Sequence, residues 1–125
     1  MKRVTVLLIC ALLLCVYANA ALAAGSVSFS GSGTPTSFTR WSEDTSADGT
    51  WYLSWTTSNL SDGLKAAVKI YNAPGVYASH TFYYSSTSTS SHSYLPDIED
   101  GDNVYVGGKK YSGSGSLSVS GTFNP

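Results

Sequence analysis

The chain has 125 residues, and seven Lys and Arg against eight Asp and Glu give it a net charge of −1. Residues 1–23 read as an export signal; losing Lys2 and Arg3 with it takes the net charge from −1 to −3 and leaves one domain, residues 24–125. An acidic domain this poor in cations cannot neutralise a phosphate backbone, which argues against nucleic acid as a partner.

Met1-Lys2-Arg3 is a cationic head, and residues 4–16 form a nearly unbroken apolar run. As a helix that run reaches about 20 Å, short of the roughly 30 Å of a bilayer's hydrocarbon core. Ala18-Asn19-Ala20 and Ala21-Leu22-Ala23 both satisfy the small-x-small cleavage pattern, and the second is preferred. Ile9 and Leu14 precede the two cysteines where a lipoprotein signal needs small residues. Because Cys10 and Cys15 both lie in the leader, the domain has neither a disulfide nor a thiolate metal site. No second apolar stretch follows. The expectation is a secreted, extracellular product with no membrane span after signal removal.

Beyond the leader, Ser and Thr supply about a third of the residues, interspersed with most of the nine Tyr, three Trp and four Phe. That is too aromatic for a disordered stalk. Apolar residues recur with a period of two, the strand signature. Val27 and Phe29 begin the pattern, and Trp51, Leu53 and Trp55 alternate with Tyr52, Ser54 and Thr56. Ala66, Val68 and Ile70 follow, then Val76, Ala78, His80, Phe82 and Tyr84 with Tyr77, Ser79, Thr81 and Tyr83 between them. Val104 and Val106 flank Tyr105, and Leu117, Val119 and Phe123 close the series. Asp48-Gly49, Asp62-Gly63, Ala73-Pro74-Gly75 and Asp100-Gly101 supply turns between these runs, and Gly107-Gly108 reads as a further break. The fold expected is all-β: a small antiparallel β-sandwich of six to eight strands over residues 24–125, preceded by a signal-peptide helix.

Three further features stand out. Residues 25–31 and 115–121 share one Gly-Ser-x-Ser-x-Ser-Gly layout, as two hydroxyl-faced edge strands would. Residues 85–93 are almost purely Ser and Thr, whose hydroxyls compete for backbone hydrogen bonds, so an exposed loop or flat edge strand is expected. Asn59-Leu60-Ser61 matches the N-glycosylation sequon.

The landmarks over residues 50–123 resemble a fibronectin type III or related immunoglobulin-like domain. Trp51-Tyr52-Leu53-Ser54-Trp55 is similar to that family's second strand, Val68-Lys69-Ile70-Tyr71 to its third, and residues 98–106 to the turn entering its sixth. Asp100, Asp102 and Val104 depart from the family's Pro, Thr and corner Tyr. The resemblance implies an immunoglobulin-like sandwich, a scaffold that serves many binding roles.

Catalytic chemistry is thinly supplied. There is no Cys beyond the leader and no G-x-S-x-G elbow, and the only histidines are His80 and His92. Parity places His80 at the core margin beside Ala78 and Phe82, while His92 in its hydroxyl tract should be solvated. No cofactor is required. Calcium is the one candidate ion, with Asp97, Glu99, Asp100 and Asp102 on a Gly-turned loop as ligands, although the spacing is not that of an EF-hand. An enzyme is therefore not expected.

The sharper signal lies in the tyrosines. If Trp51, Leu53 and Trp55 point inward, parity turns Tyr52, Tyr71, Tyr77, Tyr83 and Tyr105 outward, with Lys69 among them. Outward phenols give flat amphipathic area at low entropic cost, suited to a glycan or a cell-surface protein. Cross-strand aromatic pairing, worth roughly 0.2–1 kcal/mol per pair, would equally account for them without a ligand. Tyr52, Tyr71, Tyr77, Tyr83 and Lys69 are the candidate ligand-binding set of a non-catalytic binding or adhesion module. The alternatives are a self-assembling extracellular subunit, hence a homo-oligomer, and a secreted enzyme inhibitor presenting residues 42–49.

Overall fold

The computed structural model describes residues 25–125; the leader, its cleavage motifs, Cys10 and Cys15 lie outside the described residues. The strands in chain order are β1 (Val27–Gly33), β2 (Thr39–Arg40), β3 (Thr45–Ser46), β4 (Thr50–Ser58), β5 (Leu64–Asn72), β6 (Phe82–Tyr84), β7 (His92–Ser93), β8 (Asn103–Gly113) and β9 (Leu117–Asn124). Among the described residues there is no helix, and so none long and apolar enough to cross a membrane. The strands form two antiparallel sheets, ordered β1-β9-β4-β7 and β2-β8-β5-β6, with β3 also paired to β8. The strand count exceeds the expected six to eight because β2, β3 and β7 are pieces of two residues each.

The period-two pattern sorts side chains between the layers as the pleat requires. In β9, Leu117, Val119, Gly121 and Phe123 are buried, while the Ser and Thr between them face outward. Phe29, Trp51 and Leu53 join them from the first sheet; Ala66, Val68, Ile70, Val104 and Val106 face them from the second. The two sheets thus enclose one apolar layer in a β-sandwich-like arrangement.

Alternation fails between residues 76 and 81. The Ile70 amide, which donates to the Ser79 hydroxyl at 2.9 Å, finds a side chain in place of a ladder carbonyl. The same hydroxyl donates to the His80 carbonyl, and Ala78 and Ser79 are both buried although adjacent. This is the local competition expected of Ser in a strand. It shifts the register, so the expected run shrinks to β6, leaving Val76 56% exposed and His80 exposed rather than at the core margin.

The matching Gly-Ser segments do not make two edges. They pair with each other, Phe29 opposite Gly121 and Gly31 opposite Val119, so β9 lies between β1 and β4 and only β1 is an edge. That edge is crossed by the chain at Trp41 and Ser42. The Ser30 amide donates to the Trp41 carbonyl at 2.9 Å, while the Val106 amide of the other sheet donates to the Ser42 hydroxyl at 2.9 Å. Trp41 itself turns inward, where it is buried against two bare backbones. A Cβ on Gly31 of one sheet or Gly108 of the other would overlap its indole ring. The Asn59 carboxamide of the sequon is likewise engaged, accepting from the Ser118 amide at 2.9 Å and donating to the Ser116 carbonyl at 2.8 Å.

Filling the notch under Trp41 should therefore be costly. Gly108→Ala is expected to lower unfolding free energy by about 1–3 kcal/mol in urea titrations, the range for overpacked cores. In the Trp41→Ala background the same change should cost measurably less, a non-additivity that would be missing if Gly108 mattered only for backbone freedom.

Candidate functional site

The outer face of the second sheet carries an ordered set of aromatic and cationic side chains. Register places them in three cross-strand rows, about 7 Å apart along the strands. In the first row Tyr105 lies opposite Tyr71, which bridges to Tyr77. The next row is Arg40, Gly107 and Lys69. The third is Lys109, Ala67 and Tyr83.

Contacts knit these rows together. Tyr71 stacks on Tyr105 at 5.5 Å between centroids and 12° between planes, and meets Tyr77 edge-on at 5.6 Å. The Arg40 guanidinium sits 4.2 Å from the Tyr105 centroid, and the Lys69 Nζ 3.5 Å from that of Tyr77. Phe38, just before β2, has its ring between two cations, with the Lys69 Nζ at 5.3 Å and the Lys109 Nζ at 4.9 Å. Such contacts each contribute about 0.5–1 kcal/mol at exposed sites. Burial first, then the neighbouring Tyr77 and Tyr105 hydroxyls, pushes the Tyr71 phenol above its ordinary value of 10.0. At the far end Tyr83 packs on Tyr111 at 4.5 Å, and Tyr77, Tyr83 and Tyr111 each keep more than half of their surface in solvent.

Charge is segregated by the same topology. Apart from Lys2 and Arg3, every Lys and Arg of the chain (Arg40, Lys65, Lys69, Lys109 and Lys110) lies in β2, β5 or β8. All eight acidic side chains lie in connections between strands. The ion pair among the described residues is Arg40 with Asp44, at 2.7 Å. Lys69 and Lys109 have rings, not carboxylates, as neighbours.

Of the residues expected to form one surface, Tyr71, Tyr77 and Lys69 are brought into contact, and Tyr83 shares their face two rows away. Tyr52 does not belong with them. It faces outward, but from β4 of the other sheet, opposite Asn124 and beside Gly25, Ser26 and Asp48. Parity assigns a side chain to a face but does not say which sheet owns the strand. Arg40, Phe38, Lys109 and Tyr111 complete the face, and no alternation marks them: Gly107-Gly108 reads as a break that hides the continuation of β8 through Lys109 and Tyr111, and β2 is only two residues long.

The acidic loop is engaged in its own turn. Asp100 accepts from the Gly49 amide at 2.8 Å and Asp102 from the Glu99 amide at 2.9 Å. Among the described residues no three His, Cys, Asp or Glu side chains, the expected Asp97, Glu99, Asp100 and Asp102 included, gather as a group that could hold a metal ion. The two histidines exchange the roles expected of them. His80 is exposed, whereas His92 is half-buried against Phe82 at 3.9 Å and Trp51 at 4.8 Å, with Nε2 3.3 Å from the Tyr84 hydroxyl. Burial raises the Tyr84 phenol to about 12 and lowers the His92 imidazole below its ordinary 6.5. The hydroxyl tract that follows β6 is tied to the same cluster by the Trp55 Nε1, which donates to the Ser88 carbonyl at 2.9 Å.

Comparison with protein-family models, with curated proteins and with solved structures found no match for this chain.

A pH dependence follows from His92. Its folded-state pKa lies below the unfolded one, so between the two values the unfolded chain holds the extra proton. The associated stability is present above pH 6.5 and is lost as pH falls through the folded value. Thermal melts from about pH 7.5 down to about pH 5 should show a smaller loss of Tm for His92→Phe than for the parent chain. Equal slopes would remove His92 as the source.

Proposed function

We propose that this chain is an exported, non-catalytic binding module that docks a glycan or a surface protein on the aromatic–cationic face of its second sheet. The observation that carries the reading is that Tyr77, Tyr83 and Tyr111 are more than half exposed on one face while Lys69 and Lys109 stand among rings with no acidic partner among the described residues. Tyr77, Tyr83 and Tyr111 pair with neighbouring rings and still leave more than half of their surface to solvent, and cations on a purely structural face are commonly interleaved with acids. Large exposed aromatics beside unneutralised charge are the composition of contact surfaces. The non-catalytic reading is supported by the dispersal of the carboxylates into loops and by His92, whose described polar contact is a tyrosine hydroxyl.

The same proposal extends to the scaffold. An immunoglobulin-like relationship is supported by β4 sharing a sheet with β7 while β5, β6 and β8 share the other. The last strand departs from that plan, since β9 enters the first sheet instead of lying beside β8. Self-assembly gains less support. The β6 and β7 edges are three and two residues long, and the β1 edge is crossed by Trp41 and Ser42, which are ordinary ways of blunting an edge.

A glycan array probed with residues 24–125 tests the reading. Replacing Tyr77 and Tyr83 by Ser should abolish retention on the glycans that the parent binds, while Tm falls by about 5 °C or less. Tyr52→Ser, on the opposite sheet, should leave retention unchanged. Loss of binding only in step with loss of stability, or an effect of Tyr52→Ser equal to that of the pair, would refute the assignment of the site.

A further inference from the structure

Resting on the binding role proposed above, we infer that the ligand of this face is an acidic polysaccharide, a polymer whose sugar rings carry carboxylate or sulfate groups. Three observations carry the inference. The first is the interleaving of chemistries. A row of tyrosines, a row bearing Arg40 and Lys69, and a row joining Lys109 to Tyr83 succeed one another along the strands. A ligand lying along the strands meets apolar and cationic groups in turn. An acidic sugar offers both counterparts on one residue, C–H faces for the rings and an anion for the ammonium or guanidinium groups.

The second observation is complementarity of charge. An acidic chain has placed every cation beyond its leader in one sheet and every carboxylate side chain outside the strands. Lys69 and Lys109 share the Phe38 ring, at 5.3 and 4.9 Å from its centroid, which brings two like charges to one aromatic side chain. That arrangement costs free energy in the free protein, and a bound anion offsets it. The third observation is shape. Gly107 and Ala67, the smallest residues of the face, stand at the centres of its second and third rows, and Ala67 is fully covered by its surroundings. A peptide partner ordinarily seats side-chain anchors in pockets. An extended chain of flat rings needs none.

The test uses biolayer interferometry of residues 24–125 on three immobilised polymers of matched length: dextran sulfate, unsubstituted dextran and poly-L-glutamate. Binding to dextran sulfate is expected to be the tightest, to weaken sharply in about 0.5 M salt, and to exceed poly-L-glutamate by about tenfold or more. The double variant Lys69→Gln, Lys109→Gln should lose about tenfold in affinity for dextran sulfate with Tm preserved, since both side chains reach outward. Tyr77→Ser with Tyr83→Ser should also weaken it, showing that charge alone is not the recognition element. Equal binding to dextran and dextran sulfate would overturn the acidic ligand while leaving a glycan-binding face intact. Equal or tighter binding to poly-L-glutamate, or indifference to the tyrosine variants, would overturn the saccharide and leave a face that captures acidic polymers of any kind. Absence of binding to all three, together with a blank glycan array, would remove the underlying glycan reading as well.

Discussion

Two adjacent residues without side chains, Gly107 and Gly108 in the middle of β8, hold this molecule's inside and outside together. Being neighbours in a strand, they face opposite ways. A Cβ on Gly108 would overlap Trp41 in the core, and one on Gly107 would overlap Tyr71 on the surface. One bare backbone step thus seats the indole that spans the gap between sheets and the phenol at the centre of the aromatic face. The inward turn of Trp41 in turn sends its neighbour Arg40 outward, onto Tyr105. Core packing and surface composition are consequently coupled through a single peptide unit.

The sheets divide labour. On the outer face of the first, Ser, Thr and Asn side chains project from β9 and β1, with small hydroxyls opposite one another at Ser28–Thr122, Ser30–Ser120 and Ser32–Ser118. That face is uncharged, and such pairs offer short hydrogen-bonding groups with little area. The second sheet has the opposite character, with phenol rings and cations in place of short aliphatic hydroxyls. Nothing in the core demands this difference, since both inner faces are similarly apolar. It arises because outward positions are free of packing constraint, so their composition is open to requirements other than folding.

Much of the architecture was legible in the residues, and the reasons for success and failure are physical. Burial on one face gives a strand its period of two, and Trp51, Leu53, Val68, Ile70, Val104, Val106, Leu117 and Phe123 all declared themselves in that way. The pattern failed where a side chain imitated backbone. Ser79 takes the Ile70 amide as a carbonyl would, and from that residue the inference for Val76 and His80 goes astray. It failed again at Gly107-Gly108, because paired glycines signal a turn more often than a notch for two aromatics. The outward tyrosines were identifiable one at a time, but their grouping was not. Whether two outward side chains share a surface depends on sheet order, a long-range property absent from any local window, and Tyr52 shows the consequence.

The central place of β9 bears on how the chain reaches its final shape. Strands β1 and β4 are not hydrogen-bonded to each other; they are zipped to opposite sides of residues 117–124. Until residues 117–124 have been made, β1 and β4 therefore have no template between them. The contacts that close the first sheet span most of the sequence, which makes the search slow and the assembly all-or-none.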